Sequence, residues 1–161
     1  MSKNKKKPDA PTIENRRARH EYFIEDTLET GIVLWGSEVK AIRDGRCSIA
    51  EGYVSIETSP VLRMVMHQTD IGQYQPSGAL NHMPKRDRVL LAHKRELLKL
   101  ARQVEQKGVT LIPLKLYFKE GRAKVLIGLA RGKQSHDKRH TIAERDAQRD
   151  LQRAMARKVM H

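Results

Sequence analysis

The residue patterns of this 161-residue chain that could carry chemistry are few. Gly128-Leu129-Ala130-Arg131-Gly132-Lys133 resembles a phosphate-cradling loop. It has three residues between its glycines where the nucleotide loop needs four, and Gln134 stands where a magnesium-binding hydroxyl should follow. The seven histidines show no HExxH spacing, and Cys47 is the single cysteine. That excludes an internal disulfide and a multi-cysteine zinc site, so no metal and no cofactor are expected. No GxSxG elbow suggests a serine hydrolase, and Cys47 reads as a small packing residue. What remains is charge at regular spacing: Arg145, Arg149, Arg153 and Arg157 recur every four residues. Like charges at this spacing weaken a free helix by a few tenths of a kcal/mol each. Laid on phosphates, the same row turns attractive and releases counterions. The competing reading is a solvated helix whose Asp146 and Asp150 partly neutralise the row. The chemistry expected is recognition of a polyanion, not catalysis.

The distribution of charge supports this. Lys and Arg number 32 against 19 Asp and Glu, a net charge of +13. Residues 1–19 carry +5 (seven basic, two acidic) and residues 133–161 carry +4 (eight basic, four acidic), so nine of thirteen excess charges sit on the two ends. Basic arms on a nearly balanced body suit a nucleic-acid binder. With one Trp, two Phe and four Tyr, stacking platforms for single strands are few, which favours a folded RNA read through backbone and shape. No apolar run reaches the length of a membrane span, and no apolar stretch follows the N-terminal lysines, so the expectation is a soluble, cytoplasmic protein, acting as a monomer away from membranes.

The elements that must position these charges follow from periodicity. Residues 1–14, with Lys3, Lys5, Lys6, Lys7 and two prolines, predict a disordered basic arm. From His20 the chain alternates, Tyr22, Ile24, Asp26 and Leu28 on one side and Phe23, Glu25, Thr27 and Glu29 on the other, and Gly31 breaks the strand. Ser37 to Arg43 predicts a short helix with Ser37 as its N-cap and Gly45 as its stop. Residues 53–56 and 61–66 predict two strands about the turn Thr58-Ser59-Pro60. Residues 70–87 predict a long irregular loop. Lys94 to Lys107 predicts a helix ended by Gly108, and residues 110–118 and 123–130 predict a hairpin. About six short strands with two helices and no βαβ alternation predict a mainly β fold, a small antiparallel barrel of the oligonucleotide-binding type spanning 15–132. In the tail, residues 133–161, Thr141-Ile142-Ala143-Glu144 fits a capping box, and the tail is expected to be disordered alone and helical on RNA.

Several segments are, beyond this, similar to a known family. Asn15-Arg16-Arg17-Ala18-Arg19-His20-Glu21-Tyr22-Phe23-Ile24 and Glu29-Thr30-Gly31-Ile32-Val33-Leu34-Trp35-Gly36-Ser37-Glu38-Val39-Lys40 resemble the opening blocks of the SsrA-binding (small protein B) family of bacteria. Leu90-Leu91-Ala92-His93-Lys94-Arg95-Glu96, Pro113 to Phe118, Ala130 to Lys133 and Asp137-Lys138-Arg139 continue the resemblance in order. It implies a barrel that grips the tRNA-like domain of transfer-messenger RNA and delivers that RNA to ribosomes stalled without a stop codon, with the tail in the empty decoding centre and messenger channel of the small subunit. Elongation factor Tu, on alanylated transfer-messenger RNA, is a further partner the resemblance suggests.

Matched by position, Asn15, His20, Glu29 and Leu91 are implied at the RNA face, with Arg19, Lys40, Arg43, Lys124, Arg131 and Lys133 as phosphate contacts. Glu29 would repel phosphate and should instead accept from a base or a sugar hydroxyl. His136, Asp137, Lys138 and Arg139 match the decoding-centre segment, and Met155 a distal tail position; Arg145, Arg149 and Arg153 belong with them. The chain departs from the family at Ala41, where serine is common, and at Gln134, where a second lysine is frequent, which bears on the phosphate contact there. The alternatives are a ribosomal protein with a similar barrel and, from another class, an RNA-modifying enzyme.

Overall fold

The longest apolar alternations of the chain lie in two adjacent segments, and they form its longest hairpin. In a computed structural model that describes residues 10–159, with side chains to residue 157, β8 (Val109–Lys119) and β9 (Arg122–Gly132) pair along their whole length. Glu120 and Gly121, with φ of 53° and 77°, make the tight turn between them. β2 (Tyr22–Ile32) pairs with β9 from Tyr22↔Gly132 to Gly31↔Lys124. The remaining staves are β4 (Tyr53–Glu57), β5 (Arg63–His67) and β7 (Arg88–Leu91). The order β8-β4-β5-β7-β2-β9, closed by the β8–β9 pairing, is a six-stranded antiparallel barrel. The expected mainly β fold with flanking helices is thus present.

The barrel interior is filled by Ile32, Val54, Met64, Met66, Leu90, Leu111, Leu116, Val125, Ile127 and Leu129, all buried. α2 (Gly36–Arg43) and α3 (Lys94–Val104) add Ala41, Ile42, Leu97 and Leu100 to the same core. Outside the barrel a smaller cluster joins Ala18, Ile112, Leu114 and Ala130, with Tyr22, Ile24 and Leu126 against it. β9 is therefore packed on both faces.

Several boundaries differ from expectation for identifiable reasons. β2 continues through Gly31, and the alternation is instead broken by a bulge between Ile24 and Asp26. One extra residue reverses the faces: Tyr22 and Ile24 join the outer cluster, while Leu28 packs against the interior. A matching bulge between Pro113 and Lys115 sends Leu114 outward. The N-cap of α2 is Trp35, whose amide donates to the Glu38 carboxylate at 2.8 Å; Ser37 is not the cap and meets His82 Nδ1 at 2.9 Å. The arm predicted over 1–14 is not wholly unstructured, because β1 (Ile13–Glu14) pairs with β8 at Leu116 and Lys115; residues 1–9 lie outside the described residues. The short helix α1 (Ala18–Glu21), the strand pair β3 (Cys47–Ser48) and β6 (Asp70–Ile71), the 3₁₀ segment Gln75–Leu80, and β7 were not expected.

The loop 70–87 is organised by a buried ion cluster. Glu38 on α2 and Arg88 on β7 are both fully buried, and Arg86 reaches the same carboxylate at 2.6 and 2.8 Å. The rest of the Arg88 guanidinium donates to the carbonyls of Thr69, Pro84 and Arg86. Burial alone would push Glu38 up, but the hydrogen bonds from Arg86 and the Trp35 amide, with the Arg88 charge, hold it below the usual carboxylate range. Arg88 is drawn down by its own burial, against the pull of the Glu38 charge and hydrogen bond.

The tail forms one helix, α4 (Ser135–Val159), the conformation expected of it on RNA. It begins a turn and a half before the predicted capping box. Asp137 accepts from the Gln134 amide at 3.2 Å, and Thr141 lies inside the helix, its hydroxyl donating to the Asp137 carbonyl at 2.9 Å.

Candidate nucleic-acid interface

Outward-facing residues of β8, β9 and β2 make one continuous surface, and most of the expected RNA-binding residues border it. At one end, α1 and the start of α4 flank an open groove of about 710 Å³ lined by Arg16, Arg19, Lys133 and Arg145 over a floor that includes Tyr22, Phe23 and Leu126. Arg16, Arg19 and Arg145 have no carboxylate partner among the described residues. At the other end, Glu29 is exposed beside Tyr117, Lys119 and Lys124, and Leu91 stands 57% exposed against Gly31. Six ladder steps, from Tyr22↔Gly132 to Glu29↔Leu126, at about 3.3 Å each, separate the two ends by roughly 20 Å.

Two of the expected contacts make hydrogen bonds within the protein. Asn15 is only 8% exposed; its amide nitrogen donates to the carbonyls of Pro113 (3.1 Å) and Ile49 (3.4 Å), and its oxygen accepts from the Ala18 amide. These bonds set the course of α1, and Asn15 also lines the groove beside Arg16 and Arg19. Lys133 donates to the Arg19 carbonyl at 3.0 Å and to the Thr141 hydroxyl at 3.2 Å, and its ammonium lies 4.8 Å from the Phe23 ring centre. It ties the root of the tail to α1. Arg131 faces away from this surface and pairs with Glu25 at 2.9 Å.

Glu29 accepts from the Tyr117 hydroxyl and lies 3.4 Å from the Lys119 ammonium. The Tyr117 hydrogen bond, together with Lys119 and Lys124, keeps the carboxyl below its usual range despite partial desolvation. Burial, then Glu29, pushes the Tyr117 phenol up to about 12. Next to them Gly31, Leu34, Val39 and Leu91 form an apolar cleft of about 360 Å³ rimmed by Arg122 and Lys124. An added Cβ on Gly31 would lie 3.3 Å from Leu91 Cβ, so the bare glycine sets the depth of this cleft. Arg43 stacks over Phe118 at 5.0 Å, and Lys40 over Tyr74 at 5.3 Å, both exposed on α2. His20 is half-buried on α1 beside exposed Arg19.

Along α4, His136, Arg139, Arg145, Arg149, Arg153 and Met155 are exposed, and Asp137 and Lys138 are half-buried near the root. Arg149 and Arg153 face Asp146 and Asp150 only at 3.8 and 3.7 Å. Ile142, Leu151 and Met155, at 45%, 58% and 60% exposure, have no cover on this helix. Sequence reasoning missed Tyr117, Lys119 and Arg16; strand alternation, with Leu116 in the core, was the signal that turned Tyr117 outward. Among the described residues no helix is long and apolar enough to cross a membrane.

A closed antiparallel barrel with a cationic outer face and a charged helical extension defines a class of small β-barrel binding proteins. The comparisons narrow it: the sequence model of the SmpB protein family matches residues 12–157, and the chain belongs to that family. The SsrA-binding protein of Thermobifida fusca (strain YX) is 50% identical over 145 residues, covering 90% of this chain and 89% of the relative. That of Staphylococcus carnosus (strain TM300) is 46% identical over 155 residues, covering 96% and 97%. A chain of a solved structure described as "tmRNA-SmpB: a journey to the center of the bacterial ribosome" superposes with a TM-score of 0.65 at 47% identity, covering 78% of this chain and 87% of that one.

Proposed function

We propose that this chain is an RNA-binding adaptor of trans-translation, binding the tRNA-like domain of transfer-messenger RNA and bringing it to stalled ribosomes. Its family and its SsrA-binding relatives support the reading. The observation that carries it is the continuous outer face of β2, β9 and β8, cationic at one end and offering an oriented acceptor at the other. On this reading Arg19, His20, Glu29, Leu91 and Lys124 meet the RNA, with Lys40 and Arg43 as flanking phosphate contacts. Asn15 and Lys133 act by holding α1 and the tail root, and Arg131 is spent on Glu25. His136, Asp137, Lys138, Arg139, Arg145, Arg149, Arg153 and Met155 serve the ribosomal decoding centre and messenger channel. The adaptor works as a cytoplasmic monomer without catalysis, and elongation factor Tu on alanylated transfer-messenger RNA is its companion in delivery.

The test is competitive binding of the purified chain to transfer-messenger RNA against bulk tRNA at physiological salt, repeated after truncation at Gly132. A strong preference that survives truncation, with loss of peptide tagging on stalled ribosomes, is the expected result. Equal binding of both RNAs, or loss of RNA affinity on truncation, overturns the division between body and tail.

A further inference from the structure

We propose that Tyr117 is a positioning residue of the RNA face, its phenol reaching across β9 to hold the Glu29 carboxylate ready for donors on the RNA. The inference rests on the reading of Glu29 as an RNA acceptor.

The register explains why only a long side chain can do this. Tyr117 is opposite Lys124, which is opposite Gly31, while Glu29 is opposite Leu126. β8 and β2 are thus two strand spacings apart at this height, about 10 Å, with β9 between them. The Tyr117 hydroxyl closes that gap and donates to Oε2, while Lys119 approaches Oε1 at 3.4 Å. A carboxylate has about four lone-pair sites, so each oxygen keeps one for a ligand.

Free glutamate on a strand wanders through several rotamers, and ordering it would weaken binding. Here the ordering is completed by folding. An acid facing RNA also repels phosphate, and Lys119 from β8 and Lys124 from β9 offset that charge; the β7 neighbour at this site, Leu91, is apolar. Since its own titration lies near 12, the phenol remains a donor throughout the neutral range.

The experiment uses the full chain and four forms: wild type, Tyr117→Phe, Glu29→Gln and the double variant. Affinity is measured for the isolated tRNA-like domain of transfer-messenger RNA, and the Glu29 carboxyl is titrated by carbon-13 NMR. Tyr117→Phe keeps the ring and removes the hydroxyl. We expect it to weaken binding roughly fivefold to tenfold, to raise the Glu29 midpoint, and to leave the slope of affinity against salt unchanged because no phosphate contact is lost. The double variant should bind no worse than Glu29→Gln alone. Wild-type affinity in Tyr117→Phe beside a weakened Glu29→Gln overturns the positioning role, as do additive losses or an unmoved Glu29 midpoint. Wild-type affinity in Glu29→Gln removes the underlying reading of Glu29, and this inference with it.

Discussion

Arg88 Nε lies 2.8 Å from Glu38 Oε1, and neither side chain is exposed to solvent. Fifty residues of sequence separate them, and the pair locks α2 to β7 and to the loop leading into it. Removing one partner strands the other charge in the core, a change that costs about 3–5 kcal/mol. Glu38→Gln should therefore lower the stability measured by urea denaturation by roughly that amount. Stability within a few tenths of a kcal/mol of wild type would mean that the cluster is dispensable.

The same pair has a pH consequence. The folded value of Glu38 is depressed, so its contribution is fully present above its ordinary value of 4.5 and is lost as pH falls through the lowered folded value. Urea midpoints between pH 7 and pH 3 should fall with acid in the wild type. In Glu38→Gln that acid-dependent loss should be smaller.

Gly128 tests the outer cluster. An added Cβ there would lie 2.9 Å from Leu114 Cδ1 and 3.3 Å from Ile24 Cγ2, between two residues turned outward by bulges. Gly128→Ala should cost about 1–3 kcal/mol by overpacking. A thermal melt unchanged from wild type would show that the cluster has room to give.

Lys133 should behave as a fastener of the tail. Lys133→Met keeps the stem and deletes the donors to Arg19 and Thr141. Amide exchange at residues 135–141 should quicken while the barrel amides keep their protection. Unchanged exchange at the root would argue that α4 is held by its own turns alone.

Two cations of similar sequence context should differ in salt dependence. Lys124, at the rim of the cleft, should lower the slope of log affinity against log salt by about one when changed to Gln. Arg131, paired with Glu25, should leave that slope unchanged. Equal effects of the two substitutions would erase the distinction drawn from their partners.

How much of this was legible in the sequence depended on the range of the interaction. The β8–β9 hairpin and α3 were readable because their apolar periods are local. The bulge at Ile24/Asp26 was not, since an inserted residue leaves the alternation looking intact while reversing which side is inward. β7 hid as a short apolar run, Val89 to Ala92, whose partners lie on β5 and β2. At the site, the basic residues could be counted but not sorted. Arg19 and Lys133 are both basic in the chain, yet Arg19 is exposed and Lys133 is consumed by the Arg19 carbonyl and Thr141. Asn15 matched the family pattern, and only the fold showed its amide turned inward.

The β2–β9 ladder carries the tail root at Gly132 and the acceptor at Glu29 on one pair of strands, with a single bulge between them. Their separation is consequently a count of residues, not the reach of a flexible tether. The barrel acts as a gauge: a paired insertion of two residues in each strand would preserve every inward and outward side chain, yet shift the tail by about 7 Å relative to the RNA face. A one-residue insertion would instead turn the face over. Whatever the tail must reach, its distance from the RNA face is cast into the length of this ladder.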